Sequence, residues 1–118
     1  MAGISERLHR WSDKNVAVGL PSGALTLLFT DIQGSTALWE SHPEEMDRAL
    51  QRHDKLLHSA IEAAGGYVFK TVGDAFCVAF STPEAGVDAV LQAQRALGAE
   101  VWLEPIIIRV RMALHSGE

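Results

Sequence analysis

The order of hydrophobic periodicities in this chain predicts a two-layer α+β sandwich, an antiparallel sheet with helices on one face. Three observations carry that expectation. Period-two runs and longer helical-period runs alternate as strand, helix, strand, strand, helix, strand. Each helical run has a single apolar stripe, so it must lie against a sheet rather than inside a bundle. The two helical runs also open alike, at Ser41-His42-Pro43-Glu44 and Ser81-Thr82-Pro83-Glu84, which is consistent with a weak internal duplication.

Composition narrows the class before any motif is read. A chain of 118 residues is one domain at most and buries roughly two-thirds of its unfolded surface. With 47% hydrophobic residues it builds a core without staples. The single cysteine, Cys77, excludes an internal disulfide and a cysteine-rich metal site, so a reducing, cytoplasmic setting is expected. No apolar stretch approaches the roughly 20 residues of a membrane helix, and Met1 to Trp11 has no signal-peptide core. A net charge of −5 argues against a general nucleic-acid binder but not against a local anion site.

In order, Ile4, Leu8 and Trp11 allow a short amphipathic helix, either a docking arm or a helix packed on its own domain. Residues 1–23 are thus a helix and extended lead-in, and 24–118 form the domain proper. Ala24 to Thr30 reads as a central strand, with Leu25, Leu27 and Phe29 on one face and Thr26, Leu28 and Thr30 on the other. Ser41 to Glu44 has capping-box spacing, and Met46, Leu50, His53, Leu57, Ile61 and Ala64 form the stripe of the helix it opens. Gly65-Gly66 stops that helix. Tyr67 to Val72 and Ala75 to Phe80 form a hairpin around Gly73-Asp74, with positive φ expected at Gly73. A two-residue turn pairs Val72 with Ala75, Lys70 with Cys77 and Val68 with Ala79. It puts Tyr67, Phe69, Thr71, Phe76, Val78 and Phe80 on the helix-covered face. Val87, Val90, Leu91, Gln94 and Leu97 are the expected inner stripe of the second helix, and Ile106 to His115 is the last strand.

This order is that of a ferredoxin-like βαββαβ sandwich. Its second sheet face, with Lys70, Arg109, Arg111 and small residues, is neither a normal core nor a normal exterior, and a partner, a ligand or a further segment is expected there.

The chemistry-bearing stretch is Phe29-Thr30-Asp31-Ile32-Gln33-Gly34-Ser35-Thr36. A strand ending in a carboxylate, then a glycine and two hydroxyls before helical residues, offers backbone N–H groups for a phosphate and an acid for a hard cation. In the predicted sheet the first and third strands are neighbours, so Asp31 and Asp74 approach one point. Two carboxylates about 4 Å apart repel by roughly 4 kcal/mol at an effective dielectric of 20, and a magnesium-like ion between them removes that cost. The plainer alternative makes Asp31 a turn or cap residue and Asp74 a hairpin former. Lys70 alone reads as a solvated strand lysine, Ser35 and Thr36 as helix caps, and the five histidines as structural or solvated. No nucleophile–base pair and no Cys/His zinc spacing is present.

Three ordered blocks carry a resemblance to a known family. Pro21-Ser22-Gly23 with Leu27 through Thr36 and Leu38-Trp39-Glu40, then Gly65 through Phe76, then Arg111-Met112-Ala113-Leu114-His115-Ser116-Gly117-Glu118 resemble class III adenylate/guanylate cyclase catalytic domains. The wording looks most like an actinobacterial subgroup often fused to ATPase and helix-turn-helix regulatory domains. The resemblance implies two Mg2+ or Mn2+ ions held by Asp31, Asp74 and the Ile32 carbonyl. It also implies attack of the ribose 3′-hydroxyl of ATP or GTP on the α-phosphate with loss of pyrophosphate. Gly34, Ser35 and Thr36 would cradle the triphosphate, and Lys70 would help read the purine across a head-to-tail homodimer interface.

Gln33 stands where many relatives carry glutamate or valine. The family's second purine-reading residue and the asparagine and arginine that stabilise the transition state belong to strands after Glu118, so these residues alone are expected to turn over little. Exposed apolar surface and self-association are expected with them. The rival reading is a catalytically degenerate module that pairs with another cyclase chain. A diguanylate cyclase is disfavoured because no Gly-Gly-Asp/Glu-Glu-Phe hairpin is present.

Overall fold

A computed structural model describes residues 24–117; the helix expected over Ile4 to Trp11 lies outside them. Four strands and three helices follow one another as β1 (Leu25–Ile32), α1 (Ser35–Ser41), α2 (Pro43–Ala63), β2 (Tyr67–Val72), β3 (Ala75–Phe80), α3 (Pro83–Ala99) and β4 (Val110–Gly117). The sheet order is β2-β3-β1-β4, antiparallel throughout, as the predicted sandwich requires. The short helix α1 is an addition to the predicted order.

Local chemistry explains the helix ends. Gly65, at φ 74°, closes α2 by donating to Glu62 O at 3.0 Å while Gly66 N donates to Ile61 O at 2.9 Å, a Schellman motif. The Thr82 hydroxyl caps α3 by accepting from Ala85 N at 3.1 Å. The predicted capping box at Ser41 does not form. Ser41 ends α1, and the α2 cap is His42, with no side-chain bond; Pro43 makes the start.

The core between sheet and helices is built from Leu28, Ile32, Phe76, Val78 and Phe80 against Met46, Leu57, Ile61, Ala89, Ala93 and Leu97. The stripe on α3 differs from the expected one: Gly86, Ala89, Ala93 and Leu97 face inward, whereas Val87 and Leu91 are exposed. Close approach is the reason. A Cβ on Gly86 would lie 2.9 Å from Thr26 Cγ2, so the first part of α3 lies too close to the sheet for a large side chain, and Leu97 at its far end is the first that fits.

The hairpin turns at Gly73, φ 58°, and pairs Val72 with Ala75 and Lys70 with Cys77 as expected. A bulge between Val68 and Lys70 then shifts the register, so that Val68 pairs with Val78 and Tyr67 with Ala79. Edge strands accommodate such bulges readily. Val68 joins the helix-side core, and Phe69 packs instead with Leu25, Leu27, Phe29, Cys77 and Ala79 on the opposite face. That face is therefore a second apolar cluster, richer than the small-residue surface expected. β4 starts later than predicted because Val110 pairs with Ile32, the last residue of β1, and the residues before it have no β1 strand to meet.

Candidate active site

Asp31 is the penultimate residue of the central strand, and Asp74 is the second residue of the β2–β3 turn. β1 and β3 are neighbours, with Phe29 opposite Cys77. Continuing that antiparallel count sets Ala75 level with Asp31 and Asp74 level with Ile32, so both acids occur at the same end of adjacent strands. Thr30 pins this end. Its buried hydroxyl accepts a hydrogen bond from Phe76 N at 3.1 Å, fixing the start of β3 against the close of β1.

On the other side, Arg111 of β4 stands directly opposite Asp31. Its Nε donates to one carboxylate oxygen and its Nη2 to the other, both at 2.8 Å. Such a fork is the strong geometry for this pair. The hydrogen bonds to Asp31, and secondarily the attraction of its charge, raise the pKa of the Arg111 guanidinium above its ordinary value. The sequence pattern puts Arg111 on this sheet face without a partner. The signal was available only through the β1–β4 register, since the partners are 80 residues apart.

Beyond Ile32 the chain turns at Gly34, φ 68°, which precedes α1. Gln33 N donates to Arg109 O at 2.8 Å and holds the turn against the approach to β4. Ser35 and Thr36 open α1, where first-turn N–H groups have no intrahelical acceptor. Asp31, Ile32, Gly34, Ser35 and Thr36 thus cluster around one strand end, with Asp74 on the neighbouring turn. Lys70 stands apart. It is exposed on the edge strand β2, opposite Cys77, with β3 between it and β1.

Among the described residues no group of three or more His, Cys, Asp or Glu side chains is arranged to hold a metal. The available donors are two carboxylates and a carbonyl, all hard oxygens. They suit a magnesium-type ion, which takes one or two protein carboxylates and fills its shell with water and phosphate, and not a closed zinc site. Among the described residues the histidines supply no alternative centre. His53 is fully buried, bonded through Nδ1 to Asp54 at 2.8 Å, and both His53 and His58 meet Phe76 edge-on. A cavity of about 630 Å³ beside the end of α3 is lined by Leu97, Trp102, Ile106 and Arg109, among others, and by none of the candidate site residues.

Comparison with known proteins supplies the chemical context. Residues 20–103 match the adenylate and guanylate cyclase catalytic domain family. A receptor-type adenylate cyclase of Trypanosoma equiperdum is 44% identical over 87 residues, which is 74% of this chain and 19% of the relative. An adenylate cyclase of Schizosaccharomyces pombe is 38% identical over 103 residues, 87% of this chain and 6% of the relative. An adenylate cyclase from Trypanosoma brucei, solved in its monomeric state, superposes with a TM-score of 0.76 at 30% identity, covering 89% of this chain and 61% of that one. The chain therefore spans a fifth or less of these two curated relatives and under two-thirds of the solved domain.

Proposed function

We propose, from the premise that this chain belongs to the adenylate and guanylate cyclase catalytic-domain family, that it carries the metal- and triphosphate-binding part of a class III nucleotidyl cyclase site. The observation that supports this reading best is the placement of Asp31 and Asp74 at the same end of adjacent strands, beside the turn at Gly34.

In this reading Asp31, Asp74 and the Ile32 carbonyl hold Mg2+ or Mn2+, two per site. The ions supply Lewis-acid activation of the ribose 3′-hydroxyl and neutralise charge on the triphosphate. Gly34, Ser35 and Thr36 orient the triphosphate through backbone N–H groups and hydroxyls. Lys70, too far along the sheet to join this cluster, reads the purine of a site shared with a second copy. The substrate is ATP or GTP, and the adenylate cyclases among the relatives favour ATP. The actinobacterial regulator-associated subgroup and a cytoplasmic setting belong to the same reading; no helix among the described residues is long and apolar enough to cross a membrane.

The 118 residues taken alone bind metal and triphosphate but turn over little, because the further transition-state donors implied by the resemblance are not among them. Titration calorimetry with Mn2+ and a non-hydrolysable ATP analogue tests this. Heat of binding that disappears in Asp74→Asn is expected. Dimerisation with no nucleotide binding would instead favour the degenerate pairing module. Cyclic nucleotide formed from Mn-ATP at a rate abolished by Asp31→Ala would refute the low turnover.

A further inference from the structure

We infer that Arg111 is a built-in competitor for the cation at Asp31, a tethered positive charge that a divalent ion must displace before it binds. The inference rests on the cation site proposed above. Its own support is the geometry of the pair. A carboxylate has two oxygens, and the Arg111 fork occupies both, each at 2.8 Å. A cation approaching Asp31 therefore meets oxygens already engaged.

The two partners differ in exposure. The Asp31 side chain is 29% exposed and the Arg111 side chain 62%. Asp31 is the member that loses more hydration and has the greater need of a counter-charge. Arg111, on a long and mostly exposed side chain directly across the β1–β4 ladder, is the member with solvent to move into. The fork is good geometry, but water reaches the pair and screens it, and a guanidinium carries half the charge of a divalent ion. The pair is thus strong enough to orient the carboxylate and weak enough to yield. A permanently buried pair would instead have blocked the site. Arg111 acts here as a positioning residue, through Asp31.

The test is Mn2+ binding to the 118-residue chain, without nucleotide, by titration calorimetry, with circular dichroism as the folding control. Arg111→Gln removes the competitor and is expected to tighten Mn2+ binding about threefold to tenfold. Arg111→Lys keeps the charge but loses the fork, and an intermediate gain is expected; it also serves if the glutamine variant folds poorly. In parallel, the Arg111 Nε–H resonance is expected to move during a Mg2+ titration and to saturate with the metal. Unchanged or weaker binding in both Arg111 variants, with binding still lost in Asp31→Asn, would overturn the competition and leave the cation site standing. Binding that survives Asp31→Asn, or is absent from wild type and Arg111→Gln alike, would overturn the cation site and the competition together.

Discussion

Thr30 and Phe76 are joined by a buried hydrogen bond from the Phe76 N–H to the Thr30 hydroxyl, 3.1 Å long, at the end of β1 where the candidate site begins. Its neighbour Asp31 reaches the other way, to Arg111 on β4. Two consecutive side chains of the central strand thus tie it to both flanking strands at the place where the acids must be held.

Replacing Thr30 by valine keeps the shape and leaves the Phe76 N–H without its acceptor. An orphaned buried donor costs about 1–3 kcal/mol. Urea denaturation is expected to show a loss of that size for Thr30→Val and a smaller one for Thr30→Ser, which retains the hydroxyl. A loss confined to Thr30→Ser, with Thr30→Val as stable as wild type, would mean that the methyl, not the hydrogen bond, matters.

Gly66 and Gly86 both lie where a side chain has no room, but with different consequences. A Cβ on Gly66 would sit 2.6 Å from Phe80 and 2.9 Å from Ile61, outside any helix. Overpacking costs about 1–3 kcal/mol, and nothing offsets it there. At Gly86 the clash, 2.9 Å from the Thr26 methyl, is partly offset by about 1 kcal/mol of helix propensity gained by alanine. Thermal melts should therefore rank Gly66→Ala as more destabilising than Gly86→Ala.

The two helix starts, alike in sequence, should respond differently to mutation. Thr82→Ala removes a formed cap and is expected to cost about 1 kcal/mol, whereas Ser41→Ala removes none and should stay within about 0.5 kcal/mol. Chemical denaturation of both variants checks this.

How much of this was legible in the sequence follows from what each feature depends on. The element order apart from α1, the β1–β3 adjacency and the Gly73 turn rest on local periodicity and turn chemistry, and the structure has them as expected. Phe69 changed faces because a single bulge inverts alternation, and no local pattern announces a bulge. The α3 stripe departs from the hydrophobic pattern, which favours Val87 and Leu91, because interlayer distance selects Gly86, Ala89 and Ala93. Ser41 fits a cap by spacing, yet α1 had already claimed it. The Asp31–Arg111 pair depends on a register between distant strands, which composition and spacing do not encode.

Exposed apolar side chains make self-association a measurable expectation. Leu114 on the edge strand β4 is 39% exposed, and Val87 and Leu91 on α3 are each 46% exposed. Light scattering is expected to show concentration-dependent association that Leu114→Ser weakens. A monodisperse monomer at high concentration would count against it.

The central claim is that Asp31 and Asp74 serve one cation site. Paramagnetic line broadening of the 15N-labelled chain by substoichiometric Mn2+ tests it most directly. The expected result is selective loss of the amide signals around Asp31 and Ile32 together with those of Gly73 and Asp74, abolished by Asp31→Asn. Broadening confined to one of the two loci, or spread over the surface acids without preference, would contradict it.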